Sequence, residues 1–171
     1  MFSNSPLVQV DTAGWDTSTV QFMDTMFLNA SSASPDTSGW NTSNVLSLSQ
    51  TFHGATAANP DVSQWDTSNV LSMIYMFASG PLTTPDVSQW NTGNVTNMQG
   101  MFNGATTLNP DVSQWDTSQV TDMNFMFYEA RSFNHSLAFD TGKVTTMSSM
   151  FYDASSFNQP LAFDTSKVTS M

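Results

Sequence analysis

Val120-Thr-Asp-Met123-Asn-Phe-Met126-Phe127-Tyr-Glu-Ala130 decides how this chain is read, because near copies of it return along the whole length. The valine recurs at Val20, Val45, Val70, Val95, Val120, Val144 and Val168, with gaps of 25, 25, 25, 25, 24 and 24 residues. The phenylalanine recurs as Phe27, Phe52, Phe77, Phe102, Phe127 and Phe151. An upstream aromatic keeps the same step through Trp15, Trp40, Trp65, Trp90 and Trp115, then Phe139 and Phe163. All twelve methionines fall on two positions of the unit, three and six residues after the valine. A fixed period of this length is the mark of a repeat array.

The apolar positions Val120, Met123, Met126, Phe127 and Ala130 draw one stripe along an α-helix of about three turns. Asp116-Thr117-Ser118 before it offers a capping oxygen and a negative charge to the helix start. Between helices, Val112 to Trp115 reads as a brief strand that stacks in parallel on its counterparts. Pro35, Pro60, Pro85 and Pro110 suit a strand entry. The fold expected is therefore α/β: a right-handed βα solenoid of about seven 24–25-residue repeats over residues 1–171, partial at both ends. Short parallel strands would line one face and short helices the other. Leu137-Ala-Phe139 and Leu161-Ala-Phe163 space their apolar residues by two, whereas Val62-Ser-Gln-Trp65 and its equivalents space them by three. One extra residue must bulge or turn before the tryptophan, and its loss accounts for the change of period from 25 to 24.

These residues resemble a known family. Met101-Phe102-Asn-Gly-Ala105-Thr-Thr-Leu108-Asn109-Pro-Asp-Val112-Ser-Gln-Trp115-Asp-Thr-Ser118-Gln-Val120-Thr-Asp-Met123 is similar, nearly throughout, to the BspA-like, DUF285 class of leucine-rich repeats, the bacterial surface protein repeat. So is Met150-Phe151 to Met171. Departures at Leu48 and Thr51, and at Ala78-Ser-Gly80-Pro81, imply locally irregular units in an intact array. The resemblance implies the leucine-rich-repeat type of solenoid, displayed at the cell surface or secreted and used in adhesion or recognition. It names no ligand, since function has to be argued from sites.

Fourteen acidic residues against Arg131, Lys143 and Lys167 give a net charge of −11. Phosphate recognition needs a basic patch, so nucleic acid is not expected as a partner. Cysteine is absent, which removes disulfides and thiol chemistry. There is no apolar run long enough for a membrane span, so membrane insertion is not expected. Met1-Phe2 aligns with Met26-Phe27 one period later, and Met171 stops at the first methionine position of another unit. An excerpt of a longer array, or ends closed by something else, is the expectation. Sequons at Asn29, Asn41, Asn94 and Asn134 arise easily in so polar a chain and weigh little for secretion.

Stacked strands set equal positions about 4.8 Å apart, so each repeated residue becomes a row. The most suggestive row is Asp11, Asp36, Asp61, Asp86 and Asp111, ending at Ser136 and Pro160. Carboxylates so spaced repel by about 3–4 kcal/mol at an effective dielectric near 20, and far less in water. A row of calcium ions or a basic partner would relieve this; a solvated row with raised pKa values is the plainer reading. A second row, Asp16, Asn41, Asp66, Asn91, Asp116, Asp140 and Asp164, is followed by threonines from Thr17 to Thr165, which reads as helix capping rather than an ice-binding array. The methionine and tryptophan rows read as core.

His53 and His135 are the only histidines, and no nucleophile, base and oxyanion donor come together, so no enzyme activity and no bound cofactor are expected. The function expected is recognition of a protein or glycan through the polar strand face. Its candidate residues are Asp36, Ser38, Asp61, Ser63, Gln64, Asp86, Ser88, Gln89, Asp111, Ser113 and Gln114. The alternative is a structural protein whose copies stack end to end into a filament or sheath, with calcium as an aid.

Overall fold

A computed structural model of the chain describes residues 1–81 and 83–171. Among these residues there is no α-helix, and the only strand pairing is a single-residue parallel bridge in each repeat. The expected βα solenoid with helices on one face is therefore corrected. The bridges join Phe22 to Ser47, then Ser72, Asn97, Asp122, Thr146 and Ser170. Successive repeats lie directly on one another as thin layers made of turns.

The stretch expected to be helical shows how. The N–H groups of Met123, Phe125, Phe127 and Glu129 donate to the carbonyls of Thr146, Ser148, Met150 and Tyr152 in the following layer, at 2.6–3.0 Å. Those of Met126, Tyr128 and Ala130 donate back within the layer to Met123, Phe125 and Phe127, at 3.1–3.3 Å. Alternate N–H groups thus close tight turns or hold the next layer, and none enters a helical i→i−4 ladder. Phe125 and Glu129 have φ of 58° and 53°, the left-handed sign that the third position of a type II turn demands. Thr25 and Asn29, Tyr75 and Ser79, and Ser149 and Asp153 repeat the pair in other layers.

Physical reasons favour this ribbon over a helix. Asn, Asp, Thr, Val and Phe are weak helix formers. A helix also needs about 8–10 Å between axes, about twice the spacing of bonded backbones. Here both sides of a layer are held at hydrogen-bond distance. Thr121 N–H donates to Thr96 in the preceding layer at 2.9 Å, while Phe127 N–H donates to Met150 in the following one at 2.9 Å. No room is left for a row of helices.

The inward-facing set is nevertheless the one that the stripe implied. Met123, Met126, Phe127 and Ala130 are buried, as are Val45, Val70, Val95, Val120 and Val144. Like rings stack: Phe27, Phe52, Phe77, Phe102, Phe127 and Phe151 follow one another at 5.7–5.9 Å between centroids. Trp15 to Trp115 form a second column at 5.9–6.4 Å. Each indole N–H from Trp40 to Trp115 finds a backbone carbonyl of the preceding layer, as in Trp90 Nε1 to Val62 O at 3.0 Å. That satisfies the one polar atom of a buried tryptophan.

Leu48 and Thr51 do not disturb their layer, contrary to expectation. Both are fully buried in the methionine places, and the Thr51 hydroxyl bonds to the carbonyls of Met23 and Leu48. Gly80 stands where other layers carry alanine. A Cβ there would lie 2.7 Å from the carbonyl oxygen of Phe52 and 3.0 Å from that of Phe77, so alanine does not fit without a shift.

Candidate recognition face

Each 25-residue layer turns two corners, and both are built alike. Asp111 Oδ1 accepts the Ser113 N–H at 3.0 Å, and Trp115 N–H closes a turn on Val112 O at 3.2 Å. Five residues later, Asp116 Oδ1 accepts the Ser118 N–H at 2.9 Å, and Val120 N–H closes on Thr117 O at 2.9 Å. Asp and Asn favour such corners because their side chains bond to the backbone two residues on. Val112 to Trp115 is accordingly a turn and not the expected strand.

The first acidic row occupies the first corner. Asp11, Asp36, Asp61, Asp86 and Asp111 are exposed, and each gives Oδ1 to the N–H two residues on. The hydroxyls of Ser38, Ser63 and Ser88 donate to the same oxygen at 2.7–2.8 Å. Gln64, Gln89 and Gln114 are exposed and reach back to their neighbouring serines at 3.4–3.5 Å. The candidate Asp, Ser and Gln residues therefore do share one corner of every layer.

Their electrostatics differ from expectation. Raised pKa values were anticipated for the row, but the hydrogen bonds from Ser38 hold Asp36 below the ordinary carboxylate value, and those from Ser113 do the same for Asp111. Donors aimed at the charged form outweigh mutual repulsion through water. The second row behaves likewise: bonds from Ser18, Ser68, Ser118 and Ser166 lower Asp16, Asp66, Asp116 and Asp164. Its carboxylates and amides cap turns, there being no helix to cap. No three acidic or histidine side chains gather as a metal cage among the described residues.

The threonines after the second row are not a water-ordering surface. Thr17, Thr42, Thr67, Thr92, Thr117 and Thr141 are 1–3% exposed, and each hydroxyl donates to a backbone carbonyl of the next layer at 2.9–3.0 Å. They are clamps between layers. Asn44, Asn69 and Asn94 bridge layers from outside, with Nδ2 on the carbonyls of Ser18, Ser43 and Ser68.

The shorter repeats explain where the acidic row stops. At Leu137-Ala138-Phe139 no turn forms, and Leu137 and Phe139 point inward on either side of the exposed Ala138. Ser136 and Pro160 stand where the corner aspartate would be. The corner, its aspartate and one residue are lost together.

Comparison with protein families gives a match that spans the chain. The model for "Mycoplasma protein of unknown function, DUF285" matches residues 1–82 and again residues 79–171. The chain belongs to the DUF285 family. The two matched ranges overlap at residues 79–82 and together span the DUF285 chain. Neither the curated proteins nor the solved structures contain a match. Among the described residues of this DUF285 protein, no helix is long and apolar enough to cross a membrane.

Proposed function

We propose that this DUF285 chain is a non-enzymatic recognition module that binds the basic surface of a partner protein through its acidic corners. The observation that carries the reading is the placement of charge. Ten of the fourteen acids belong to the two corner rows. In the first row each carboxylate spends Oδ1 on its own turn, and no hydrogen bond to Oδ2 is made among the described residues. The second oxygens therefore form an exposed row on a backbone fixed from layer to layer, which presents charge without the entropy cost of ordering long side chains. The face that carries the bridges is nearly free of charge by contrast, with Asp24 and Asp122 its only acids.

The resemblance to bacterial surface repeats supports an extracellular or cell-surface site of action. The non-enzymatic reading rests on His53 and His135, the only two histidines of the sequence, lying in different layers. The test is direct binding of lysine-rich peptides and of neutral glycans to the chain and to its Asp61→Asn/Asp86→Asn/Asp111→Asn variant. The expected result is salt-sensitive peptide binding that the variant loses while it remains folded. Glycan binding that survives the triple substitution would replace this reading with a glycan-binding one.

A further inference from the structure

Asn29, Asn41, Asn94 and Asn134 each head an Asn-x-Ser/Thr triplet, the sequence that accepts an N-linked sugar. All four are exposed, and the structure separates them by what their side-chain amides already do. Nδ2 of Asn29 donates to Asn4 Oδ1 at 3.0 Å, and Nδ2 of Asn94 donates to the Ser68 carbonyl at 2.7 Å, both in the preceding layer. The Asn134 oxygen is held by the following layer, accepting the Asn158 N–H at 2.9 Å and Gln159 Nε2 at 3.2 Å. Each of these three amides is engaged by a neighbouring layer.

Asn41 is different. Its Oδ1 caps its own corner, accepting the Ser43 N–H at 3.1 Å and the Ser43 hydroxyl at 2.7 Å. Its Nδ2 makes no hydrogen bond among the described residues. At Asp36, Asp61 and Asp86 a serine hydroxyl donates to the corner oxygen in the same way, at 2.7–2.8 Å. Those corners carry carboxylates, which have no N–H to give. Asn91 caps a corner of this kind with an amide, but Gly93 stands where the hydroxyl would be. Asn41 therefore combines an unengaged amide nitrogen with an oxygen that a serine hydroxyl already holds.

We propose that Asn41 is an N-glycosylation site and that the Ser43 turn prepares it for the reaction. An amide nitrogen is a weak nucleophile because its lone pair is delocalised into the carbonyl. Loss of an Nδ2 proton moves negative charge onto Oδ1, where the Ser43 N–H and hydroxyl are already aimed. Donors fixed where charge develops lower the barrier. The co-reactant is a sugar activated as a diphosphate ester. The bond from its anomeric carbon to the phosphate oxygen breaks, and a bond from that carbon to Nδ2 forms. The Nδ2 proton passes to a base of the transferase, the diphosphate leaves with the electron pair, and nothing is oxidised or reduced. The corner itself is rigid: the Asn41 carbonyl accepts the Thr17 hydroxyl at 2.9 Å, and Thr42 is buried. The sugar projects from the second corner row and leaves every carboxylate of the first row in place.

Incubation of the folded chain with a soluble, sequon-directed N-glycosyltransferase and its nucleotide-diphosphate hexose, read by intact mass and peptide mapping, tests this. The chain should gain one hexose on Asn41, at least about tenfold faster than on Asn29, Asn94 or Asn134. Asn41→Gln should lose that hexose, and Asn94→Gln should keep it. Asp86→Asn sets a second amide beside a serine hydroxyl, that of Ser88, and should take a second hexose. A folded chain left unmodified at Asn41, equal modification at any of the other three sequons, or an Asp86→Asn chain with a single hexose would each overturn the proposal. Binding of lysine-rich peptides is measured on the unmodified chain, so failure here leaves the acidic-corner reading standing, and failure there leaves this one standing.

Discussion

The hydroxyl of Thr117 donates to the carbonyl of Asp140 at 2.9 Å, across the boundary between two layers and almost wholly out of water. The same bond recurs from Thr17 to Thr141, so the layers are joined by buried side chains as well as by backbone.

Thr92→Val should test its worth. The substitution keeps shape but leaves the Asp116 carbonyl without its donor, at a cost of about 1–3 kcal/mol for an unsatisfied buried group. Thr121→Val removes a bond of the same kind, to Thr96 O at 3.2 Å, from an exposed position. It should change stability by less than about 0.5 kcal/mol. Urea titration of both variants gives the comparison.

Met101→Asp should abolish folding, because Met101 is wholly enclosed and the new carboxylate meets no partner. Met101→Leu should fold, at a cost below about 1.5 kcal/mol. Asp86→Asn should fold as the parent does, since an amide oxygen caps the same turn, as Asn41 and Asn91 do in the neighbouring row. Circular dichroism separates the three outcomes.

Ser149 sits at φ 52° and is exposed. Ser149→Gly should raise stability by about 1 kcal/mol through relief of the left-handed conformation, and Ser149→Val should lower it. The opposite change at Gly100 should be severe: its φ is 59°, and an added Cβ would overlap the ring of Tyr75. Melting curves of Ser149→Gly and Gly100→Ala should move in opposite directions.

Acid should weaken the fold in a defined window. Asp16, Asp36, Asp66, Asp111, Asp116 and Asp164 are lowered by their serine partners when folded. The unfolded chain therefore binds more protons just below the ordinary aspartate pKa of about 3.9, and stability rises with pH there. The contribution is complete above that value and is lost as pH falls through the folded pKa values. Melting temperature should be flat near neutrality and decline below about pH 4. An increase in stability on acidification would contradict the hydrogen-bonded corners.

The inward residues were legible because burial follows the period whatever the backbone does. The helix was misread for a definite reason. Left-handed residues four apart, such as Phe125 and Glu129, turn the ribbon so that Met123, Met126, Phe127 and Ala130 all face inward, the spacing of a helical stripe over the same short length. Periodicity over eight residues does not separate the two. A better signal lay in Asp111-Val-Ser-Gln-Trp115-Asp116-Thr-Ser-Gln-Val120, where Asp-x-Ser-x-apolar occurs twice in succession. That doubling spells two capped corners back to back. The extra residue before the tryptophan was placed correctly, at the Ser113–Gln114 turn. What the rows of Asp and Thr do was not legible, because exposure and bond direction depend on the neighbouring layer.

Alternation of the backbone bonds between a layer's own turns and its neighbour has a consequence for how such genes can vary. Every junction offers the same donors and acceptors, so excision or duplication of one 25-residue block restores an identical seam. Reach along the stack is thus a quantity that recombination can tune in whole steps, while the surface chemistry of each step changes independently by point substitution.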